Sequence, residues 1–112
     1  MPIQNPDYKD IDHAEMAQAI GLKVKHVPML IGSFLEESFP ILETMYTYLE
    51  AKDYENLRSS AHSIKGSAGN LRFNELSAMA KELEFAAANS EDSFDYKAYL
   101  DALKGAMATI SL

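Results

Sequence analysis

Apolar residues recur every three or four positions through four long segments of the chain, which is the pattern of helices with one buried face. The four apolar stripes are Val27, Ile31, Phe34, Ile41, Met45 and Tyr48; Leu57, Ala61, Ile64, Ala68 and Leu71; Leu76, Met79, Ala80, Leu83 and Ala87; and Tyr96, Tyr99, Leu100, Leu103, Met107 and Ile110. No segment keeps the alternation of apolar and polar residues that a strand would show. The pattern predicts an all-α fold.

Residues that favour helix ends mark the boundaries of these segments. Asp12 and Glu15 form a capping box, and Gly21 suits the left-handed residue that ends a helix. They predict a short first helix over about residues 13–20. The predicted N-caps of the third, fourth and fifth helices are Asp53, Asn74 and Ser93.

The second predicted helix begins near Lys25 and contains two prolines. Pro28 lies in the first turn, where a helix tolerates proline. Pro40 lies in the interior, where it removes a backbone amide and crowds the preceding turn. We therefore expect a kink, or a break into two shorter helices, near Ser38.

Short turns between the four longer helices favour an antiparallel up-down-up-down four-helix bundle over about residues 25–110. The short N-terminal helix is expected to pack over one end. The length of 112 residues provides a core for one domain but not for two, so residues 1–112 are predicted to form a single domain.

The charge and composition narrow the range of partners. Asp and Glu outnumber Lys and Arg by 17 to 10, and a net charge of −7 disfavours nucleic acid. The absence of cysteine excludes disulfides and thiolate zinc sites. No basic, apolar signal stretch and no membrane-length apolar run occur. We expect a monomer in the cytoplasm that does not bind membranes.

The third helix is predicted to carry an exposed histidine. At about 100° per residue, His62 lies roughly 140° from the centre of its apolar stripe. Arg58, Lys65, Gly66 and Gly69 fall on the same outer face. An exposed imidazole is a nucleophile near neutral pH, and Lys65 could offset the charge of a phosphate.

The two glycines distinguish this face from an ordinary helix surface, on which a lone histidine is usually inert. A glycine inside a helix costs about 1 kcal/mol relative to alanine, so stability alone does not select Gly66 and Gly69. A bare backbone beside His62 is accounted for more simply by the close approach of another protein.

Residues 61–71, AHSIKGSAGNL, resemble the phosphorylation segment of histidine-containing phosphotransfer (HPt) domains, whose pattern is alanine, histidine, any residue, aliphatic, lysine, glycine and small residues. The resemblance covers about residues 24–105. Further residues that match the family by position are Phe34, Leu35, Asp53, Leu83 and Glu84.

The resemblance implies that His62 takes a phosphoryl group on a ring nitrogen from a receiver-domain aspartate and passes it to another receiver. Lys65 would assist electrostatically, Gly66 would make room for the receiver, and Glu84 would orient the imidazole. The implied partners are response-regulator receiver domains and a sensor or hybrid histidine kinase. The protein would be a phosphoryl carrier without an ATP site of its own, rather than an enzyme.

Arg72 departs from the family pattern, which usually has glycine at this position. If the backbone there is left-handed, a residue other than glycine costs roughly 1 kcal/mol. The side chain could contact the phosphate or an acidic pocket of the receiver, or it could be an ordinary surface arginine. Both interpretations of Arg72 are open at this point.

Two other functions compete with the phosphorelay. The domain could be the phosphoacceptor part of a chemotaxis-type histidine kinase, which also has the sequence His-Ser-Ile-Lys-Gly, or a helical adaptor that is never phosphorylated. The sequence lacks the paired Glu-x-x-His motifs of a di-iron bundle and the Gly-rich loops of nucleotide sites. We expect no metal and no cofactor.

Overall fold

The computed structural model describes residues 3–110, and these contain five α-helices and no strand. The helices are α1 (His13–Ile20), α2 (Val27–Glu50), α3 (Tyr54–Asn70), α4 (Asn74–Ala88) and α5 (Tyr96–Ala108), and a short 3₁₀ turn covers Val24–His26. The predicted all-α class is confirmed. The outermost parts of the predicted domain, residues 1–2 and 111–112, lie outside the described residues.

Two helices are capped by the predicted aspartates. The side chain of Asp12 accepts a hydrogen bond from the amide of Glu15 at 3.0 Å, and Gly21 ends α1 with a φ of 73°. The side chain of Asp53 accepts from the amide of Asn56 at 3.2 Å. Each cap satisfies an amide that the first turn leaves without a partner.

The predicted caps of the last two helices are wrong. Asn74 is the first residue of α4, and the N-cap position belongs to Phe73, whose ring is buried against Tyr8 and Phe34. The N-cap of α5 is Asp95 rather than Ser93, and its side chain accepts from the amide of Ala98 at 3.2 Å. At α4, burial of an aromatic ring decides the boundary.

Of the kink or break expected near Ser38, the break is wrong, because α2 continues through Pro40 as one helix of 24 residues. Ser38 is buried at 2% exposure, whereas Pro40 and Glu36 are exposed. Because Pro40 has no amide hydrogen, the carbonyl of Glu36 lacks its usual helical hydrogen bond. Glu36 is on the solvent side of α2, where water can donate to that carbonyl instead. The buried stripe of α2 runs through Leu42, and the predicted Ile41 and Tyr48 are only partly buried.

The core is formed by one face of each helix. α3 packs most extensively against α4, α2 contacts α3 and α5, and α4 contacts α5. α1 lies against the start of α2. The segment before α1 is tied to the bundle by Tyr8, whose amide donates to Thr109 Oγ1 and whose hydroxyl donates to Glu75 Oε1, both at 2.9 Å. None of the described helices has the length and apolar content that a membrane crossing requires.

Candidate functional site

The imidazole of His62 stands on the outer face of α3, with its side chain 63% exposed. The opposite face of the helix is fixed in the core by Leu57, Ala61, Ile64 and Ala68, which are all buried. Because these four residues determine the rotation of α3, they direct His62 away from the core. The histidine is therefore held on a rigid element and open to solvent.

Glu84 of α4 bridges His62 and Lys65. Its Oε2 lies 2.8 Å from His62 Nδ1, and its Oε1 lies 2.7 Å from Lys65 Nζ. The side chains of Glu84 and Lys65 are mostly covered, at 19% and 31% exposure. One carboxylate thus connects two side chains that are three positions apart on the neighbouring helix.

The surroundings of Glu84 keep it ionised. Partial burial acts to raise its pKa, but the hydrogen bonds from Lys65 and His62 outweigh burial and lower the pKa below its ordinary value. A carboxylate beside Nδ1 favours the ring form that carries a proton on Nδ1. The lone pair of His62 Nε2 is then directed outward, where it can act as a nucleophile.

The two glycines of α3 have different surroundings. A Cβ atom added to Gly66 would meet no atom within 4 Å, and this residue is exposed. A Cβ atom added to Gly69 would lie 3.3 Å from Ser77 Oγ, a hydroxyl that donates to the carbonyl of Lys65 at 3.0 Å. The prediction that Gly69 belongs to the open face is therefore wrong, since this glycine allows α3 and α4 to approach each other.

Arg72 is not brought to His62. Its φ is 64°, so the backbone is left-handed, as the glycine usual at this position in the family suggested. Its guanidinium donates to the carbonyls of Gly69 and Ala19, at 3.4 and 3.3 Å. Arg72 follows His62 by ten positions, about 15 Å along a helix. In this arrangement Arg72 therefore joins the ends of α3 and α1 rather than contacting His62, and its contact with an acidic pocket of a receiver stays a prediction.

Arg58 lies one turn before His62 and lines a groove between α3 and α4 together with residues that the sequence patterns did not single out. We call this the basic groove; its lining residues are Arg58, Lys65, Lys81, Glu84, Phe85 and Ala88. Phe85 is 67% exposed. The sequence does contain a sign of this surface. On α4, the spacing of Lys81, Phe85 and Ala88 is helical and places them on the face away from the buried stripe.

Within residues 3–110, no three His, Asp or Glu side chains are grouped so that they could hold a metal ion. The site consists of an exposed nucleophile, a carboxylate that orients it, a lysine and an open glycine backbone. Such an arrangement can accept a group at Nε2 and offers a cation close to it.

Comparison with known proteins adds one finding. A family model described as the Hpt domain matches residues 29–111. This match includes all of α3, α4 and α5 and most of α2. No curated protein and no solved structure gives a significant match.

Proposed function

The chain belongs to the Hpt domain family, and we propose that it accepts a phosphoryl group on His62 from a receiver-domain aspartate and passes it to a second receiver. The family acts in histidine phosphotransfer within two-component phosphorelays. The observation that best supports His62 as the phosphorylated residue is its exposed imidazole, with Nδ1 on Glu84 Oε2 at 2.8 Å.

The proposed transfer requires only the histidine and the phospho-aspartate. Nε2 of His62 attacks the phosphorus, a P–N bond forms, and the P–O bond to the aspartate breaks, which releases a free carboxylate. The proton on Nδ1 remains in place, and Glu84 stabilises the positive charge that the ring acquires. The reverse reaction with another receiver returns the histidine to its starting state.

Lys65 has the role of compensating charge in this proposal. A phosphoryl group adds about −1.5 to −2 charges. In the unphosphorylated protein Lys65 Nζ is paired with Glu84 Oε1 at 2.7 Å, and it is one turn from His62. A rotation of the Lys65 side chain away from the carboxylate would bring its ammonium group toward the phosphoryl oxygens. Gly66 would give the incoming receiver access to the imidazole.

The proposal extends to the arrangement of the whole domain. Three-residue connections at 51–53 and 71–73 support an up-down-up-down order of α2 to α5, with α1 over one end. We propose that the domain works as a monomer in the cytoplasm, with receivers and a sensor or hybrid histidine kinase as partners, and that it carries phosphate without an ATP site.

Labelling of a histidine variant tests this function. A receiver charged with labelled acetyl phosphate should transfer label to the wild type and to His26→Gln, but not to His62→Gln. The transferred label should be acid-labile, as expected of phosphohistidine. Undiminished label on His62→Gln would remove the site, and no label on any of the three proteins, with every receiver tried, would remove the function. Labelling by an ATP-bound kinase alone would instead favour the chemotaxis-type alternative.

A further inference from the structure

Four of the basic side chains in residues 3–110 form ion pairs with carboxylates, and four others do not. Lys52, Lys65, Lys97 and Lys104 form ion pairs with Asp92, Glu84, Asp101 and Glu43. Arg72 is bound to two carbonyls. Apart from Lys9 and Arg72, the cations without an ion-pair partner among the described residues are Lys23, Lys25, Arg58 and Lys81.

These four cations fall in two places, and the exposed large apolar side chains fall in the same two places. Arg58 and Lys81 lie in the basic groove with Phe85. The other surface, which we call the α1–α2 patch, consists of Leu22, Lys23, Val24, Lys25 and Met29. On a chain with a net charge of −7, unpaired cations beside an exposed apolar side chain favour an acidic partner that also has apolar groups.

The basic groove is the one that adjoins the reacting histidine. It shares Lys65 and Glu84 with the site of His62, and Arg58 lies one helical turn away from the imidazole. The α1–α2 patch borders a depression with Asn70 and Leu71, about two turns further along α3. A protein bound over His62 therefore meets the basic groove first.

The size of the groove limits what it can hold. Its volume is about 320 Å³, at the lower end of the range of about 300–1,000 Å³ found for small-molecule sites. Phe85 forms an exposed apolar wall, and Arg58 and Lys81 supply charge from opposite helices. This combination suits one or two side chains of a partner better than a whole cofactor.

From these observations we propose that the basic groove binds an acidic segment of the receiver, with an apolar side chain of that segment packed on Phe85, and thereby selects the receivers that exchange phosphate with His62. The proposal rests on the proposed function. Arg58 and Lys81 would attract the segment, and Phe85 would supply the contact from which water is excluded.

Binding measurements with matched variants test the groove. Purified receiver domains from the source genome are screened for binding to the full chain by calorimetry, and the tightest unphosphorylated receiver is used as the probe. Arg58→Glu/Lys81→Glu and Phe85→Ala should each weaken its binding by at least about tenfold. The controls are Lys23→Glu/Lys25→Glu and Met29→Ala, which make the same changes in the α1–α2 patch and should alter binding by less than about threefold.

The salt dependence provides a second measurement. Binding by the wild type should weaken as ionic strength rises, and Arg58→Gln/Lys81→Gln should flatten that dependence because the screened charges are gone. Groove variants that bind as the wild type does, or control variants that lose as much affinity as the groove variants, would overturn the proposal. So would the absence of any receiver that binds.

Two further outcomes matter. One tells receiver binding from self-association, and the other tells a failure of the groove proposal from a failure of the proposed phosphotransfer. If the wild type self-associates in sedimentation experiments and Phe85→Ala abolishes this, the groove holds a second copy of the chain and the proposal fails. If a receiver binds through the groove but never phosphorylates His62, the groove is supported as a receiver site and the proposed function alone fails.

Discussion

His62 Nδ1 and Glu84 Oε2 lie 2.8 Å apart, although the two residues are 22 positions apart in the sequence and belong to different helices. The orientation of the imidazole therefore depends on how α3 packs against α4. Ser77 reinforces that packing through its bond to the Lys65 carbonyl, and Gly69 permits it. The ring orientation of His62, a surface residue of α3, thus depends on the interface between α3 and α4.

Removing the Glu84 carboxylate should change the tautomer of His62. Glu84→Ala deletes the acceptor of the Nδ1 proton, so the ring should populate both neutral tautomers, and phosphotransfer should slow by about tenfold. Glu84→Gln retains an acceptor oxygen and should lie between Glu84→Ala and the wild type. Nitrogen NMR of the imidazole measures the tautomer, and Glu37→Ala, an exposed glutamate on α2, is the control. An unchanged ring spectrum in Glu84→Ala would show that Glu84 does not orient the ring.

The ion pairs of Glu84 should make stability depend on pH. Because its pKa is lowered in the folded protein, its stabilising contribution is complete above the unfolded pKa and is lost as pH falls through the folded value. The wild type should unfold with a free energy about 1 kcal/mol higher than Glu84→Gln at neutral pH. The difference should be smaller at about pH 3, below the ordinary pKa of a glutamate, because Glu84 is protonated in a larger share of the molecules there. Urea titrations at the two pH values measure it, and a constant difference would contradict the assignment.

Lys65 should matter more to the phosphorylated protein than to the fold. Lys65→Ala removes a partly exposed ion pair, so it should lower the free energy of unfolding by no more than about 1 kcal/mol. The same change should shorten the phosphohistidine lifetime or slow transfer by several-fold, because a cation near the new charges is lost. Lys97→Ala is the matched control, since Lys97 forms an exposed ion pair with Asp101 on α5. Equal lifetimes and rates in all three proteins would show that Lys65 is incidental.

Substitutions of Gly66 test its effects on folding and on phosphotransfer separately, and Gly105 is the matched control. Both are exposed glycines inside helices, and an added Cβ atom meets nothing within 4 Å at either site. Replacement by alanine should therefore stabilise the fold by up to about 1 kcal/mol at both positions. Gly66→Gln should keep or raise the melting temperature while phosphotransfer falls by at least about tenfold, a barrier change near 1.4 kcal/mol. Gly105→Gln should leave the transfer rate unchanged. Normal transfer by a folded Gly66→Gln variant would refute receiver access as the role of Gly66.

Arg72 should be replaceable without loss of transfer. Arg72→Gly removes the strain of a left-handed residue, worth about 1 kcal/mol, and loses two long hydrogen bonds. Arg72→Ala keeps the strain and loses the same bonds. Thermal melts should therefore rank Arg72→Gly above Arg72→Ala, and both variants should accept phosphate at the wild-type rate. A marked loss of transfer in Arg72→Gly would mean that the guanidinium reaches the site in the complex.

Local rules predicted the parts of this fold that depend on neighbouring residues. Asp12 and Asp53 cap helices because an aspartate at the boundary meets an amide three positions later. The same rule failed at Asn74, where burial of Phe73 determines how the chain enters α4. The helix does not break at Pro40, because the effect of a missing bond depends on whether that side of the helix faces water.

The residues of the candidate site also differ in whether a local pattern predicts them or whether they depend on helix packing. The period of α3 alone predicts that His62, Lys65 and Gly66 lie together, and the structure has them so. The position of Gly69 against Ser77 and the presence of Phe85 beside Arg58 depend on the register of α4 against α3. A single helical period contains no information about that register.

The exposure of His62 has a consequence for timing. Its imidazole is 63% exposed on a helix whose other face is fixed in the core, so a partner can reach it without prior movement of this chain. In the proposed relay, the waiting time before each step is then governed by diffusion and by how quickly the previous partner departs. Raising solvent viscosity or diluting the partners would slow such a relay, and the cell could adjust its speed simply through the abundance of the receivers.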